Sequence, residues 1–459
     1  MSEVPEQATA ETPSRKSTVV MWLALATAFL GWAFDGMEMG LFSMMARPTL
    51  ENLMGTADPA RVSLLISVTT SLFLAGMAVG GVYFGRMGDR LGRVRSLVFT
   101  VLVYAIFTGL TGFVHTTWQY CACRFLSAVG LGGEWGLGVA LVMETWPGAT
   151  RPVLAGLLGA AANFGFLFSG VVGLLTKLYL HFAGWAPATV AKLSAFGMIL
   201  QRPDAPPGVY GLTWRPILMI GFVPALLTLL IRLGVREPER WVRSRQRGEK
   251  SSFAELFSPA LLRHTLIGAA LGGIAVLGMW GSMQTWLQAW VKDLVPSAQA
   301  DAARTAVTLA LAVGAIPGCM FGALAAEWFN RRVSWALLCV LSVASAFILY
   351  FGFHAYNTAF LVMAAVTSFW ITAFFGWLPL YLPELFPTRL RATGEGFCFN
   401  VGRLISAVGV FGTAGLVKLF GQQPLSAIPR ASGTMSLIFL VGLVLIWFAP
   451  ETKGQDLPD

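Results

Sequence analysis

The sequence predicts an all-α membrane protein, with twelve transmembrane helices in two pseudo-symmetric six-helix bundles. Three observations predict it. First, the 459 residues are 56% hydrophobic and only 12% charged, with a mean hydropathy of +0.68. A soluble protein carries about 25% charged residues. Second, twelve apolar stretches approach the roughly 20 residues a helix needs to cross the bilayer. Third, Glu144-x-x-Pro147-x-x-x-Arg151-x-x-x-x-Gly156 recurs as Glu384-x-x-Pro387-x-x-x-Arg391-x-x-x-x-Gly396, every member displaced by 240 residues. Matched signals half a chain apart point to a duplicated structure.

The apolar stretches fall at about 20–45, 62–86, 95–115, 118–145, 151–180 and 214–233, then 263–291, 302–326, 333–353, 358–382, 391–420 and 431–449. The segment before the first is polar through Lys16, and no small-residue cleavage site precedes Asp35. The first stretch therefore reads as a spanning helix, not a signal peptide. Loops 2–3 (Arg86, Arg90, Arg93, Arg95), 6–7 (Arg236, Arg240, Arg243, Arg245, Arg247, Lys250), 8–9 (Arg331, Arg332) and 10–11 (Arg389, Arg391) hold the bases. All lie on the side of Arg15 and Lys16, which the positive-inside rule makes cytoplasmic. The expected division is a tail over 1–19, a bundle over 20–233, a cytoplasmic linker over 234–262, a bundle over 263–450 and a tail over 451–459. Both tails are expected in the cytoplasm of a multi-pass plasma or inner membrane protein. The outer connection 181–213 is rich in Pro and Gly (Pro203, Pro206, Pro207, Gly208) and suggests no role.

The net charge of +9 follows from these loops and builds no nucleic-acid surface. Cys121, Cys123, Cys319, Cys339 and Cys398 lack zinc-site spacing, and no disulfide is expected. There is no nucleotide loop, metal cluster or nucleophile constellation, so no enzyme, cofactor or metal is predicted and no residue is assigned as catalytic or metal-binding. His115, His181, His264 and His354 stand mostly near span ends, which disfavours a histidine proton relay.

Loop 2–3 reads Gly85-Arg-Met-Gly-Asp89-Arg90-Leu-Gly92-Arg93, and loop 8–9 holds a degenerate copy, Glu327-Trp-Phe-Asn330-Arg331-Arg332. The first resembles the signature loop of the major facilitator superfamily. Arg236-Glu237-Pro238-Glu239-Arg240-Trp241 and Pro450-Glu451-Thr452-Lys453-Gly454 are similar to the Pro-Glu segments of its sugar porters. The resemblance covers nearly the whole chain. It implies the major facilitator fold and transport by alternating access. It also implies a cytoplasmic gate of Asp89, Arg90, Arg93, Glu144, Arg151, Glu327, Arg331, Glu384 and Arg391, which holds the outward-facing state and breaks on inward opening. In physical terms, an acid at a helix end pairs with arginines and a neighbouring helix terminus.

Charges inside spans are costly and mark function. Asp35 and Glu38 share a face of span 1, being i, i+3. Trp32-Ala-Phe-Asp35-Gly36-Met37-Glu38 resembles the Asp-Gly-Phe-Asp element of sialic acid and aromatic acid:proton symporters, with Met and Glu as departures. Arg124, with Gly130-Leu-Gly132-Gly133-Glu134, is similar to span 4 of both the sugar porters and the metabolite:proton symporters. Asp35 lies roughly 22 Å along span 1, and Arg124 roughly 9 Å below the outer end of span 4. An Asp35–Arg124 pair at similar depth would act as a proton switch, ionised when paired and protonated when apart; a static ion pair is the other reading. Glu134, about 15 Å below Arg124, is either a second proton site or a hydrogen-bond partner of a neighbouring helix.

Arg403 follows Asn400 on one face of span 11. Its planar fork suits a substrate carboxylate, or an acid on another helix. Gln284, Gln288, Trp280, Phe375 and Trp377 complete the expected pocket, although most aromatics here serve packing or the lipid boundary. Span 7 lacks the adjacent Gln-Gln pair that sugar porters use. The function expected is therefore proton-coupled symport of a small organic anion, a carboxylate or acidic sugar. The alternatives are a sugar or polyol porter and a non-transporting receptor on the same scaffold. Its partners would be a small-molecule substrate, protons and the lipid bilayer, with no nucleic acid, and the protein would be a monomer.

Overall fold

The computed structural model describes residues 15–55, 58–174, 180–181, 187–201, 209–222, 226, 234–249, 251–284, 286–296, 299–421 and 424–459. The first half holds α1 (Arg15–Met54), α2 (Pro59–Leu91), α3 (Arg93–Thr111), α4 (Thr117–Thr145) and α5 (Arg151–Leu174), then the short α6 (Pro187–Ala195) and α7 (Trp214–Met219). The linker carries α8 (Glu239–Gln246). The second half holds α9 (Leu262–Gly278), a π-helical turn (Met279–Gln284) and α10 (Trp286–Asp293), which together form the seventh span. After them come α11 (Ala300–Trp328), α12 (Arg331–Gly352), α13 (Thr358–Tyr381), α14 (Arg391–Leu419), α15 (Pro424–Ser436) and α16 (Ile438–Leu445).

Among the described residues, ten helical segments are long and apolar enough to cross a membrane. The eleventh expected span, α14, has the length at 29 residues but carries Arg391, Glu395, Arg403 and Lys418. Most of the sixth, expected over 214–233, lies outside the described residues, as do Pro203, Pro206, Pro207, Gly208 and Lys250. The chain is not purely helical. Strands β1 (Leu180–His181), β2 (Ile199–Gln201) and β3 (Val209–Leu212) pair as an antiparallel three-stranded sheet in the order β1-β3-β2. These short strands flank α6 within the connection, and their pairing satisfies backbone groups that no helix takes up there.

Within the first half α2 and α3 pack on α4, and α1 on α5; within the second, α11 and α12 pack on α13, and α9 on α14. The halves meet along two seams, α2 with α4 against α14, and α5 against α11 and α13. Each seam depends on a missing side chain. A Cβ on Gly396 would stand 2.4 Å from Gly81 O, and one on Gly159 2.4 Å from Phe375 O, so backbone lies on backbone.

The repeated turn is repeated in conformation. Pro147 (φ −60°, ψ 150°) and Pro387 (φ −63°, ψ 154°) are both extended, and each leads into a 3-10 turn, Gly148–Thr150 or Thr388–Leu390. Proline has no N–H to continue the outgoing helix. Arg151 and Arg391 then donate from Nε to Met143 O (3.1 Å) and Pro383 O (3.2 Å), each eight residues back.

Candidate functional site

At the basic end of the bundle, Arg93 is fully buried at the head of α3. It forks onto Glu144, with Nη2 at 2.9 Å and Nε at 3.3 Å. Nη1 donates to Asp89 Oδ1 (2.6 Å) and Gly88 O (2.8 Å). The network crosses to the other half. Arg93 reaches Thr388 O at 2.6 Å, and Arg391 Nη1 donates to Glu144 Oε1 at 2.9 Å. Asp89 accepts from Ala392 N (3.2 Å), Thr393 N (2.8 Å) and the Thr393 hydroxyl. A carboxylate at the N-terminus of α14 satisfies donors the helix leaves open and meets the positive end of its dipole.

The second copy is built alike but closes on itself. Arg331 forks onto Glu384 at 2.7 and 2.9 Å and donates to Ala326 O at 2.8 Å, five residues back, as Arg93 does to Gly88 O. Glu327 stays half-exposed, 3.6 Å from Arg331. Arg151 makes no ion pair among the described residues, and exposed Arg90 reaches only Ser251 O at 3.4 Å.

Two acids that the sequence offered only as resemblance have a physical task. Glu237 accepts from Val94 N (3.2 Å) and Arg95 N (3.1 Å), and Glu451 from Arg331 N (3.1 Å) and Arg332 N (3.2 Å). Each caps the helix that follows an arginine loop. Gly92 has φ +116°, and a Cβ there would stand 2.3 Å from the Glu237 carboxylate. At the matching place Asn330 is extended and caps α12 itself, accepting from Val333 N at 2.7 Å.

Deeper in, the expected Asp35–Arg124 pair does not form. Arg124 Nη1 donates to Glu38 Oε1 at 2.7 Å, and Thr108 (3.1 Å) and Ser127 (3.4 Å) donate to the same oxygen. Arg124 also lies over the rings of Phe42 (4.5 Å) and Phe73 (4.4 Å), so cation–π contact and one ion pair hold it. Asp35 instead faces the other half. Its Oδ2 lies 3.9 Å from Arg403 Nη2, and its Oδ1 has no hydrogen-bond partner. Height along two helices set Asp35 level with Arg124, but azimuth gives the nearer approach to Glu38. Glu134, buried on α4, acts on Asp35 together with Glu38, Arg124 and Arg403.

Arg403 donates to Asn400 Oδ1 (2.9 Å) and lies 4.8 Å from the Phe399 ring centre. Asn400 donates to Gly396 O (2.8 Å) and Gly132 O (3.4 Å), which joins α14 to α4. Phe399 stacks on Trp135 at 3.9 Å, with Trp32 and Phe375 edge-on at 6.2 and 6.3 Å. These rings come from both halves, and Phe399 lies against Arg403. Of the aromatics expected there, Phe375 joins the group. Trp377 does not: it is fully buried, donates to Ser334 Oγ at 2.9 Å and packs on Trp335 and Tyr381. Partly buried Trp280 packs against the core cluster that runs through both halves. Gln284 ends the π turn, and Gln288 donates to Thr308 at 3.4 Å. Trp32, Trp135 and Phe399 were overlooked in the sequence, although each stands within three residues of an ionisable or amide residue assigned to the site.

The profile of the Major Facilitator Superfamily matches residues 21–410. A protein described as a probable 4-methylmuconolactone transporter of Cupriavidus pinatubonensis is 29% identical over 450 residues, 97% of this chain and 92% of the relative. The sialic acid transporter of Escherichia coli is 25% identical, covering 83% of both. The cis,cis-muconate transport protein of Acinetobacter baylyi is 25% identical, covering 84% of this chain and 85% of the relative. Among solved structures, a proton:xylose symporter bound to 6-bromo-6-deoxy-D-glucose superposes with a TM-score of 0.70 at 17% identity, covering 96% of this chain and 98% of that one. That likeness is one of fold.

Proposed function

The chain belongs to the Major Facilitator Superfamily, a family of transporters, and we propose that it carries a small organic anion together with a proton by alternating access. The observation that carries this reading is the loose pair between the halves. Asp35 and Arg403 are 1% and 7% exposed yet stand 3.9 Å apart, too far for a strong charge-assisted hydrogen bond. Arg403 is the planar fork for the substrate carboxylate, held by Asn400, with Gln284, Gln288, Trp280 and Phe375 toward the rest of the molecule. While Asp35 is ionised it competes for that fork. A proton on Asp35 ends the competition, so proton and anion bind together. Glu38 holds Arg124 in place on the outer side of this pair, and Glu134 is the second carboxylate able to take the proton. Muconate and sialic acid, named for two relatives, are carboxylates, which supports this class over a neutral sugar.

The basic end is the cytoplasmic one. Asp89, Arg93, Glu144 and Arg391 close it, and Arg331 with Glu384 braces the second half. Opening inward requires the Arg391–Glu144 and Asp89–Thr393 contacts to part.

Thermal-shift titration with cis,cis-muconate, sialic acid and hexoses at two pH values tests the substrate class. Carboxylates should stabilise the protein, more strongly at the lower pH, where Asp35 is protonated. Arg403→Ala should weaken that binding at least about tenfold, or 1.4 kcal/mol. Stabilisation by hexoses and no carboxylate, or unchanged anion affinity in Arg403→Ala, overturns the assignment.

A further inference from the structure

One buried carboxyl belongs to neither the central pair nor the ion network. Glu395 stands on α14 one turn after Arg391. It is 0% exposed, and neither of its oxygens has a hydrogen-bond partner. The charged groups acting on it are Arg391 on its own helix, Glu144 on α4, Arg93 at the head of α3 and Asp89 at the foot of α2. On α9 the ionisable side chains are Arg263, which donates to Phe448 O, and His264. In the turn before α14, Glu384 is engaged by Arg331 and Arg389 by Glu255.

The four charges around Glu395 already balance. Two guanidinium groups, Arg93 and Arg391, meet two carboxylates, Asp89 and Glu144, and both arginines are bonded to Glu144. The rest of Arg391 goes to Pro383 O and to Pro458 O at 2.6 Å. An ionised Glu395 would add a fifth, uncompensated charge with no donor to stabilise it, which the interior does not tolerate. Parting of the halves changes this balance. Glu144 leaves with α4, while Arg391 and Glu395 stay together on α14 at i, i+4, a spacing at which opposite charges meet.

We propose that Glu395 is a proton-binding switch of the cytoplasmic gate, protonated while the gate is closed and ionised against Arg391 when it opens. On opening, the O–H bond of the carboxyl breaks and its proton goes to cytoplasmic water. Glu395 then takes the place of Glu144 beside Arg391. Closing draws one proton back from the same side, so this proton regulates the gate and is not carried across. Acidification of the cytoplasm should favour closure and hence the return of the empty carrier.

The experiment needs no substrate, so it fails or succeeds independently of the anion assignment. The full chain is placed in lipid nanodiscs. Infrared spectra report protonated carboxyl groups, and spin labels at exposed Ala149 and Trp328 report the separation of the cytoplasmic ends across a pH series. The wild type should show a protonated-carboxyl band that Glu395→Gln lacks. Its open-to-closed ratio should rise with pH by up to about tenfold per unit, the limit for one linked proton. Glu395→Gln should stay closed across the series, and Glu395→Asp should regain the pH dependence. Should Glu395→Gln fail to fold, Glu395→Ala against Glu395→Asp makes the same comparison, pH-independent against pH-dependent. An unchanged carboxyl band, or a neutral variant that opens with pH as the wild type does, overturns the proposal.

Discussion

The basic ends of the two halves carry the same sequence device and use it differently. In each, an arginine after an acidic loop forks onto the glutamate of the turn, Arg93 onto Glu144 and Arg331 onto Glu384. In each, a Pro-Glu segment caps the next helix. Among the described residues only the first loop's acid reaches across, although Arg391 of the second turn also bonds Glu144. Asp89 is bound by Ala392 N and Thr393 N at the head of α14, whereas Glu327 stays half-exposed beside its own Arg331. The positions matching Ala392 and Thr393 are Pro152 and Val153. Proline has no N–H and valine no hydroxyl, so the head of α5 lacks two of the donors that a second acid would need. A duplicated motif can thus serve as a lock between halves in one copy and as a brace within a half in the other, and the receiving helix decides which.

The largest break of this comparison is Arg93→Ala. It leaves Asp89 and Glu144 buried without their main cation, and should cost about 3–5 kcal/mol, read as a lowered melting temperature and loss of the closed state. Asp89→Asn should come next. It removes the charge that binds the α14 head, worth about 1.5–3 kcal/mol, whereas Glu327→Gln should move stability by under about 1 kcal/mol. Equal losses in the pair would mean that the two copies work alike. The smallest effect sharpens the contrast. Pro152→Ala with Val153→Thr restores the missing donors and should add under about 1 kcal/mol, with slower opening in spin-label measurements. No change there would place the cause of the asymmetry outside these two residues.

Much of this was legible in the sequence. Eleven of the twelve apolar stretches fall on described helices, and with the repeated turn and the arginine loops they identify the ends at which the helices meet, because length, periodicity and spacing are properties of one helix at a time. Partner choice is a property of two. Rise per residue placed Arg124 level with Asp35 but gave no rotation about the axis, and Glu38, three residues on, is the acid it meets. Trp377 lay in a span so rich in aromatic residues that no face stood out, and it packs inside the second half. The three-stranded sheet has strands too short to alternate. Glu395 stood in view as an acid in a spanning helix and was masked by the Glu-Pro-Arg turn just before it.

Uptake of radiolabelled cis,cis-muconate and sialic acid into proteoliposomes under an imposed proton gradient tests the central claim most directly. The account predicts accumulation of an anion against its gradient that collapses when the proton gradient is dissipated. It also predicts an Asp35→Asn variant that exchanges the anion but no longer accumulates it. Full proton-driven accumulation by Asp35→Asn, or uptake that ignores the proton gradient, would contradict it.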